Sequence, residues 1–301
     1  MQRRTFLQGS LAAGVLLSTG TLRAAGGTPA PRAGEPLARL AALEKAHGGR
    51  LGVAILDTAT GRRVDHRGEE RFPMCSTFKL LAVAAVLARV DRGELALAQR
   101  IEFAKEDLVP YSPVTGERTG APGMSLAEVC EAVITLSDNT GGNLLLDRIG
   151  GPAGWTAFAR SLGDQSSRLD RRETMLNEAI PGDPRDTTTP AAMLRDMQAV
   201  LLGGVLSEAS RAQLMAWLEA TRTGDKRLRA GFPRRWRVGD KTGTSDNGVV
   251  NDIAIAWPPG RPPLLVAAYY AETTRGTDDA IAAIAEVGRI AAGLVRASGE
   301  S

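Results

Sequence analysis

Strand-like segments lie towards both ends of this 301-residue chain, with a long helical block between them, so any sheet must pair strands remote in sequence. Residues 51–58 form an apolar run bounded by Gly48-Gly49 and Thr60-Gly61, and 63–66 suit a second short strand. Three more strands are expected at 235–240, 252–257 and 264–271, separated by turns rich in Gly and Pro. Helical spacing marks 36–47, 76–92 and 278–295, and helical patterns dominate from 76 to about 218. A polar loop rich in Arg and Asp interrupts them at 168–186. The expected class is α+β, with an α/β half built from 28–70 and 221–301 and a helical half from 71–220 that is inserted between them.

An apolar fraction of 43% and a charged fraction of 24% suit a globular chain able to bury a sizeable core. The first 27 residues read as a signal peptide: Arg3 and Arg4, an apolar run from Leu11 to Leu17, then small residues around Ala24 to Gly27. The run is too short to span a membrane, and Gln2 to Gln8 resembles a twin-arginine export signal, the alternative being a general secretory leader with paired arginines. The leader's Arg3, Arg4 and Arg23 account for the formal net charge of +3, so the mature chain is near neutral and a nucleic-acid surface is not supported. A periplasmic or secreted monomer without a membrane anchor is expected.

The cysteines are Cys75 and Cys130. Export favours a disulfide, but they lie on different predicted elements, and two buried free thiols are expected. His47 and His66 are too few for a His-rich metal site or a His-based serine triad, and no cofactor is expected.

Three short motifs carry chemistry. In Ser76-Thr77-Phe78-Lys79 a helix puts Lys79 on the same face as the Ser76 hydroxyl, which needs a proton acceptor to become a nucleophile. Alone, that spacing equally suits a serine cap followed by an exposed lysine. Ser137-Asp138-Asn139 offers a hydroxyl to relay a proton and an amide to hold a polar arm, or else a helix-terminating turn. Lys241-Thr242-Gly243-Thr244, at the end of a predicted strand, can bind a carboxylate or simply turn the chain.

In this order the three match the motif set of class A β-lactamases and penicillin-binding proteins. Over residues 36–298 the chain resembles a class A serine β-lactamase; 71–79 and 183–190 are typical of that family. The resemblance implies a β-lactamase/transpeptidase-like fold, with a five-stranded antiparallel sheet flanked by helices plus an all-helical half. It also implies a small-molecule β-lactam substrate and assigns roles. Ser76 is the nucleophile, Lys79 belongs to the proton network, and Ser137 passes a proton to the ring nitrogen. Asn139 holds the acylamino arm, Lys241, Thr242 and Thr244 bind the substrate carboxylate, and Gly243 allows close approach. The N–H groups of Ser76 and Thr244 form the oxyanion hole, and Tyr111 is an aromatic wall. Glu173 and Asn177 hold the hydrolytic water, and Arg171 and Asp186 close the omega loop as an ion pair. Glu173 and Asn177 separate this reading from a D-alanyl-D-alanine peptidase, whose acyl-enzyme persists. A covalent β-lactam sensor would need a membrane span and a partner domain.

Departures from the family pattern sharpen the expectations. Thr174 stands where most relatives have proline after a cis bond, and a cis Glu173–Thr174 bond is still expected. Val250 stands where many penicillinases carry arginine, and Arg227 is expected to supply that second cation. Ser245 is small and polar, which suits cephalosporins with bulky side chains. With no cysteine there to pair with Cys75, carbapenem hydrolysis is not expected.

Overall fold

In the computed structural model, which describes residues 34–297, one sheet is filled from both ends of the chain. The leader expected at 1–27 lies outside the described residues. Strands β1 (Arg50–Asp57) and β2 (Arg63–His66) precede the helical block. The short strands β3 (Phe72–Pro73), β4 (Arg100–Ile101), β5 (Met124–Ser125) and β6 (Thr187–Thr188) lie within it. Strands β7 (Arg237–Ser245), β8 (Val249–Trp257) and β9 (Leu264–Ala271) follow. The five-stranded sheet runs β2-β1-β9-β8-β7, every pair antiparallel, while β3 pairs with β6 and β4 with β5.

Residues 237–245 pair without a break against 257–249, so Lys241-Thr242-Gly243 lies inside β7 and not at its end. The ladder's hydrogen bonds extend the strand through a Gly/Thr-rich sequence of modest strand propensity.

Helix α1 (Glu35–His47) and the last helix cover one face of the sheet, burying Leu40, Leu51, Val53, Ile284 and Val287. The other face meets the helical block. At its centre is α2 (Phe78–Asp91), preceded by a 3-10 turn at Cys75–Thr77; its residues 78–88 are all buried, as befits a helix apolar on every side. Around it pack α3 (Leu126–Thr135), α4 (Asn139–Ile149), α5 (Gly151–Ser161), α6 (Pro190–Leu201) and α7 (Glu208–Glu219). Helix starts follow the sequence: Ser125 and Glu128 form a capping box, and Asp138, Thr189 and Ser207 cap α4, α6 and α7. A short α8 (Leu228–Gly231) leads into β7, and α9 (Thr277–Ala297) ends the described chain. Cys75 and Cys130 are buried free thiols, as expected, and burial pushes both pKa values up. No helix among the described residues is long and apolar enough to cross a membrane.

Candidate active site

Edge strand β7 runs beside the turn that opens α2, and Gly243 makes this approach possible. A Cβ there would stand 2.7 Å from the Met74 carbonyl oxygen and 3.3 Å from the Ser76 nitrogen, both backbone atoms with little room to yield. Asn251, on the neighbouring strand, fixes the same turn by donating from Nδ2 to the carbonyls of Pro73 (2.8 Å) and Met74 (3.1 Å). Cys75, Tyr111 and Ser137 have φ of 45°, 61° and 60°. Left-handed backbone costs a non-glycine residue ~1–2 kcal/mol, so three such residues at one site indicate a geometry imposed by the surrounding packing.

Lys79 is fully buried and crowded by oxygens. Its Nζ donates to Ser76 Oγ (2.9 Å), the Ser137 carbonyl (2.8 Å) and Asn139 Oδ1 (2.6 Å), and lies 2.9 Å from Glu173 Oε1. Burial lowers its pKa while Glu173 opposes that shift, leaving an amine that gives up a proton more readily than usual. The Ser76 hydroxyl also reaches Glu173 Oε1 at 3.2 Å, so it has two candidate proton acceptors. Asn177 Nδ2 donates to Glu173 Oε2 at 2.6 Å.

On the other side, Lys241 Nζ donates to Ser137 Oγ at 3.0 Å. Burial, then the charge of Lys79, holds its pKa well below the ordinary lysine value. Ser137 Oγ therefore bridges two buried amines, since Lys79 also lies within 3.4 Å of it. Asp138 reads as an unremarked middle letter of its motif, yet it anchors the site. Its carboxylate accepts from the N–H groups of Val114, Thr115 and Gly141 and from the Thr115 hydroxyl.

Ser76, Ser137, Asn139 and Asn177 line a cavity of about 750 Å³ with Tyr111, Met175, Thr242, Thr244 and Ser245 at its walls, and Lys79, Glu173 and Lys241 are hydrogen-bonded to them from within the protein. Tyr111 is 60% exposed, while its backbone carbonyl accepts from Asn139 N at 3.0 Å. Arg227 reaches the cavity from behind β7. Its Nη1 donates to the carbonyls of Gly243 (2.8 Å) and Asn251 (2.6 Å), and its Nη2 to Thr244 Oγ1 (2.7 Å).

The loop between α5 and α6 delivers Glu173. Asp186 closes it by accepting from Asp170 N (2.7 Å), Arg171 N (2.9 Å) and Arg171 Nε (2.5 Å), and its own carbonyl accepts from Met74 N at 2.9 Å. The Glu173–Thr174 peptide bond is cis. Ser245 Oγ donates to the Asn177 carbonyl at 2.5 Å, tying the loop to β7. Sequence reasoning missed Asn143, which clamps the Glu173 backbone: its Oδ1 accepts from Glu173 N (2.9 Å) and its Nδ2 donates to Glu173 O (3.0 Å). Asn143 lies one helical turn beyond Asn139 on α4, and that spacing is the only trace of it in the sequence. The expected site residues thus lie on this cavity or, for Lys79, Glu173 and Lys241, hydrogen-bonded to residues that line it, with Arg171 and Asp186 at the base of its loop.

Residues 36–295 match the family described as the beta-lactamase enzyme family. Beta-lactamase AST-1 of Nocardia asteroides is 51% identical over 252 residues, 84% of this chain and 81% of its own. Beta-lactamase Toho-1 of Escherichia coli is 45% identical over 288 residues, 95% of this chain and 96% of its own. Among solved structures, an ancestral (GNCA) class A β-lactamase shares 63% identity and a TM-score of 0.83, covering 85% of this chain and 98% of that one. The fold and the serine–lysine site are those of the serine hydrolases that open β-lactam rings, and the chain belongs to the class A β-lactamases. It hydrolyses β-lactam antibiotics by the acyl-enzyme route general to that class, and so confers resistance.

Proposed function

We propose that Ser76 Oγ attacks the lactam carbonyl of penicillins and cephalosporins, its proton passing to Lys79 or Glu173, which both lie within hydrogen-bond reach. The N–H groups of Ser76 and Thr244 receive the developing oxyanion. As the ring C–N bond breaks, Ser137 Oγ hands a proton to the nitrogen, and the adjacent Lys79 and Lys241 replenish it. Asn139 meets the acylamino arm, Tyr111 the ring face, and Lys241, Thr242, Thr244 and Arg227 the substrate carboxylate. Glu173 then takes a proton from a water, which attacks the ester and frees Ser76. Asn177 suits that step, because its buried Oδ1 meets no donor among the described residues and can accept from the same water.

The observation that carries hydrolysis, as against a persistent acyl-enzyme, is Glu173 Oε1 at 3.2 Å from Ser76 Oγ with Asn177 on its other oxygen. The test is nitrocefin turnover by Glu173→Ala. The variant is expected to acquire one acyl group per chain, visible by mass spectrometry, and to turn over about 10²–10⁴-fold more slowly. Unchanged turnover would remove Glu173 from the mechanism.

We also propose that residues 1–27 are an export signal of twin-arginine type and that the enzyme acts as a periplasmic or secreted monomer. The paired arginines in the sequence support the first part, and the general export of class A enzymes supports the location. The division into a two-ended α/β half and an inserted helical half is proposed likewise, with the site in the seam between them.

A further inference from the structure

The neck of the loop between α5 and α6 is closed by successive rungs. Below the Arg171–Asp186 pair, Arg168 N donates to Thr187 O (2.9 Å) and Ser167 Oγ meets Thr188 Oγ1 (2.6 Å). The lowest rung is made of two acids. Asp164, just past α5, and Asp196, on α6, are 2% and 1% exposed, and their carboxyl groups are in hydrogen-bonding contact. Asp164 Oδ1 accepts from Ser166 N (2.6 Å) and Ser167 N (3.0 Å). Asp164 Oδ2 and Asp196 Oδ2 are both buried, and neither meets a donor among the described residues. Where two buried carboxyl groups meet and donors are lacking, a proton on one supplies the donor that the other needs.

The surroundings decide which acid holds it. Burial pushes Asp164 up, but the Ser167 hydroxyl and the two backbone N–H groups outweigh that and leave it below the usual carboxylate value. Burial and the neighbouring Asp164 push Asp196 up to about 9. The other titratable groups bearing on the pair are engaged elsewhere. Arg160 of α5 donates to the carbonyls of Asp164 and Ser167, Arg195 of α6 lies 3.6 Å from Glu69, and Tyr269 of β9 bonds the Thr77 hydroxyl.

We propose that Asp196 is a positioning residue for hydrolysis: its protonated carboxyl donates to Asp164 and so clasps together the two ends of the loop that carries Glu173. The inference rests on Glu173 being the deacylating base. Because the folded-state pKa of Asp196 lies above the unfolded value, the pair's contribution to stability is complete only below about pH 4 and declines as pH rises towards about 9. An amide at 196 donates the same hydrogen bond and carries no proton to lose.

Three full-length proteins test this: wild type, Asp196→Asn and Asp196→Ala. The Tm advantage of Asp196→Asn over wild type is expected to widen by at least about 5 °C between about pH 5 and pH 9 and then level off. A pH-independent difference would overturn the shared proton. At neutral pH, Asp196→Ala is expected to release its acyl group about tenfold more slowly with acylation unchanged, while Asp196→Asn keeps the wild-type rate. Wild-type deacylation by Asp196→Ala would overturn the positioning role. If Asp196→Ala does not fold, the asparagine comparison still decides the shared proton. The Tm comparison involves no catalysis, so it stands apart from the Glu173→Ala result.

Discussion

At the scale of single residues the site is governed by how few donors and acceptors are left free. Lys79 has more oxygen neighbours than protons, so a change at Ser76, Asn139 or Glu173 redistributes its hydrogen bonds. Arg227 is a simpler case, because its guanidinium donates to the Gly243 carbonyl and Thr244 hydroxyl of β7 and to the Asn251 carbonyl of β8. Replacing it by alanine frees Thr244 Oγ1 and removes a cation from the Thr244 end of the cavity. Arg227→Ala is expected to raise KM for benzylpenicillin about tenfold with a smaller change in kcat, as steady-state kinetics would show. An unchanged KM would assign the arginine to holding the strand alone. Arg227 was expected only from its place in the family resemblance, whereas the three motifs were legible as short local patterns. Asn143, Asp138 and Asn251 were not, since their value lies in backbone atoms that only the fold brings within reach.

At the scale of elements, the loop from α5 to α6 has little regular structure of its own and is held by its neck. Asp186 has a φ of 56°, is 1% exposed, and accepts three hydrogen bonds. Removing it leaves two backbone N–H groups without that acceptor and Arg171 with only the exposed Glu178, and breaking a buried pair from one side costs about 3–5 kcal/mol. Asp186→Ala is expected to lower stability by that amount in urea titration and to slow deacylation more than acylation, because Glu173 rides on the loop while Ser76 rides on the 3-10 turn that leads into α2. Equal losses in both steps would mean that the loop also supports the nucleophile. Sequence placed this loop at 168–186 and its closing pair correctly. It missed the lower rung, because a carboxyl pair at a separation of 32 residues leaves no periodic trace. It also ended the first C-terminal strand at 240, before Lys241, because pairing with β8 carries β7 further than local propensity does.

At the scale of the molecule, catalysis depends on a seam between a sheet closed from both ends and helices inserted between those ends. Close to Ser76 the sheet's Lys241, Tyr269 and Asn251 cross it with side-chain hydrogen bonds. Asn251, fully buried in β8, holds the carbonyls of Pro73 and Met74 with its amide while its Oδ1 accepts from Tyr270 N at 3.2 Å. A leucine there keeps roughly the volume but takes the side-chain partner from the Pro73 carbonyl and the Tyr270 N–H and leaves the Met74 carbonyl to Thr77 alone, each unsatisfied group being worth about 1–3 kcal/mol. At about 2–4 °C per kcal/mol for a chain of this size, Asn251→Leu is expected to lower Tm by about 5–10 °C. It also frees the turn that carries Ser76, so acylation should slow even at temperatures where the protein remains folded. Arg237→Ala supplies the contrast: it breaks the exposed ion pair of Arg237 on β7 with Glu219 on α7 and its stacking over Trp257, and should cost about 1 kcal/mol. Stopped-flow acylation and thermal melts of the two variants separate the cases. If both lose stability alike, strength in the seam is spread across the sheet edge. If Asn251→Leu alone loses both stability and acylation rate, one buried amide joins the two halves where the chemistry requires it.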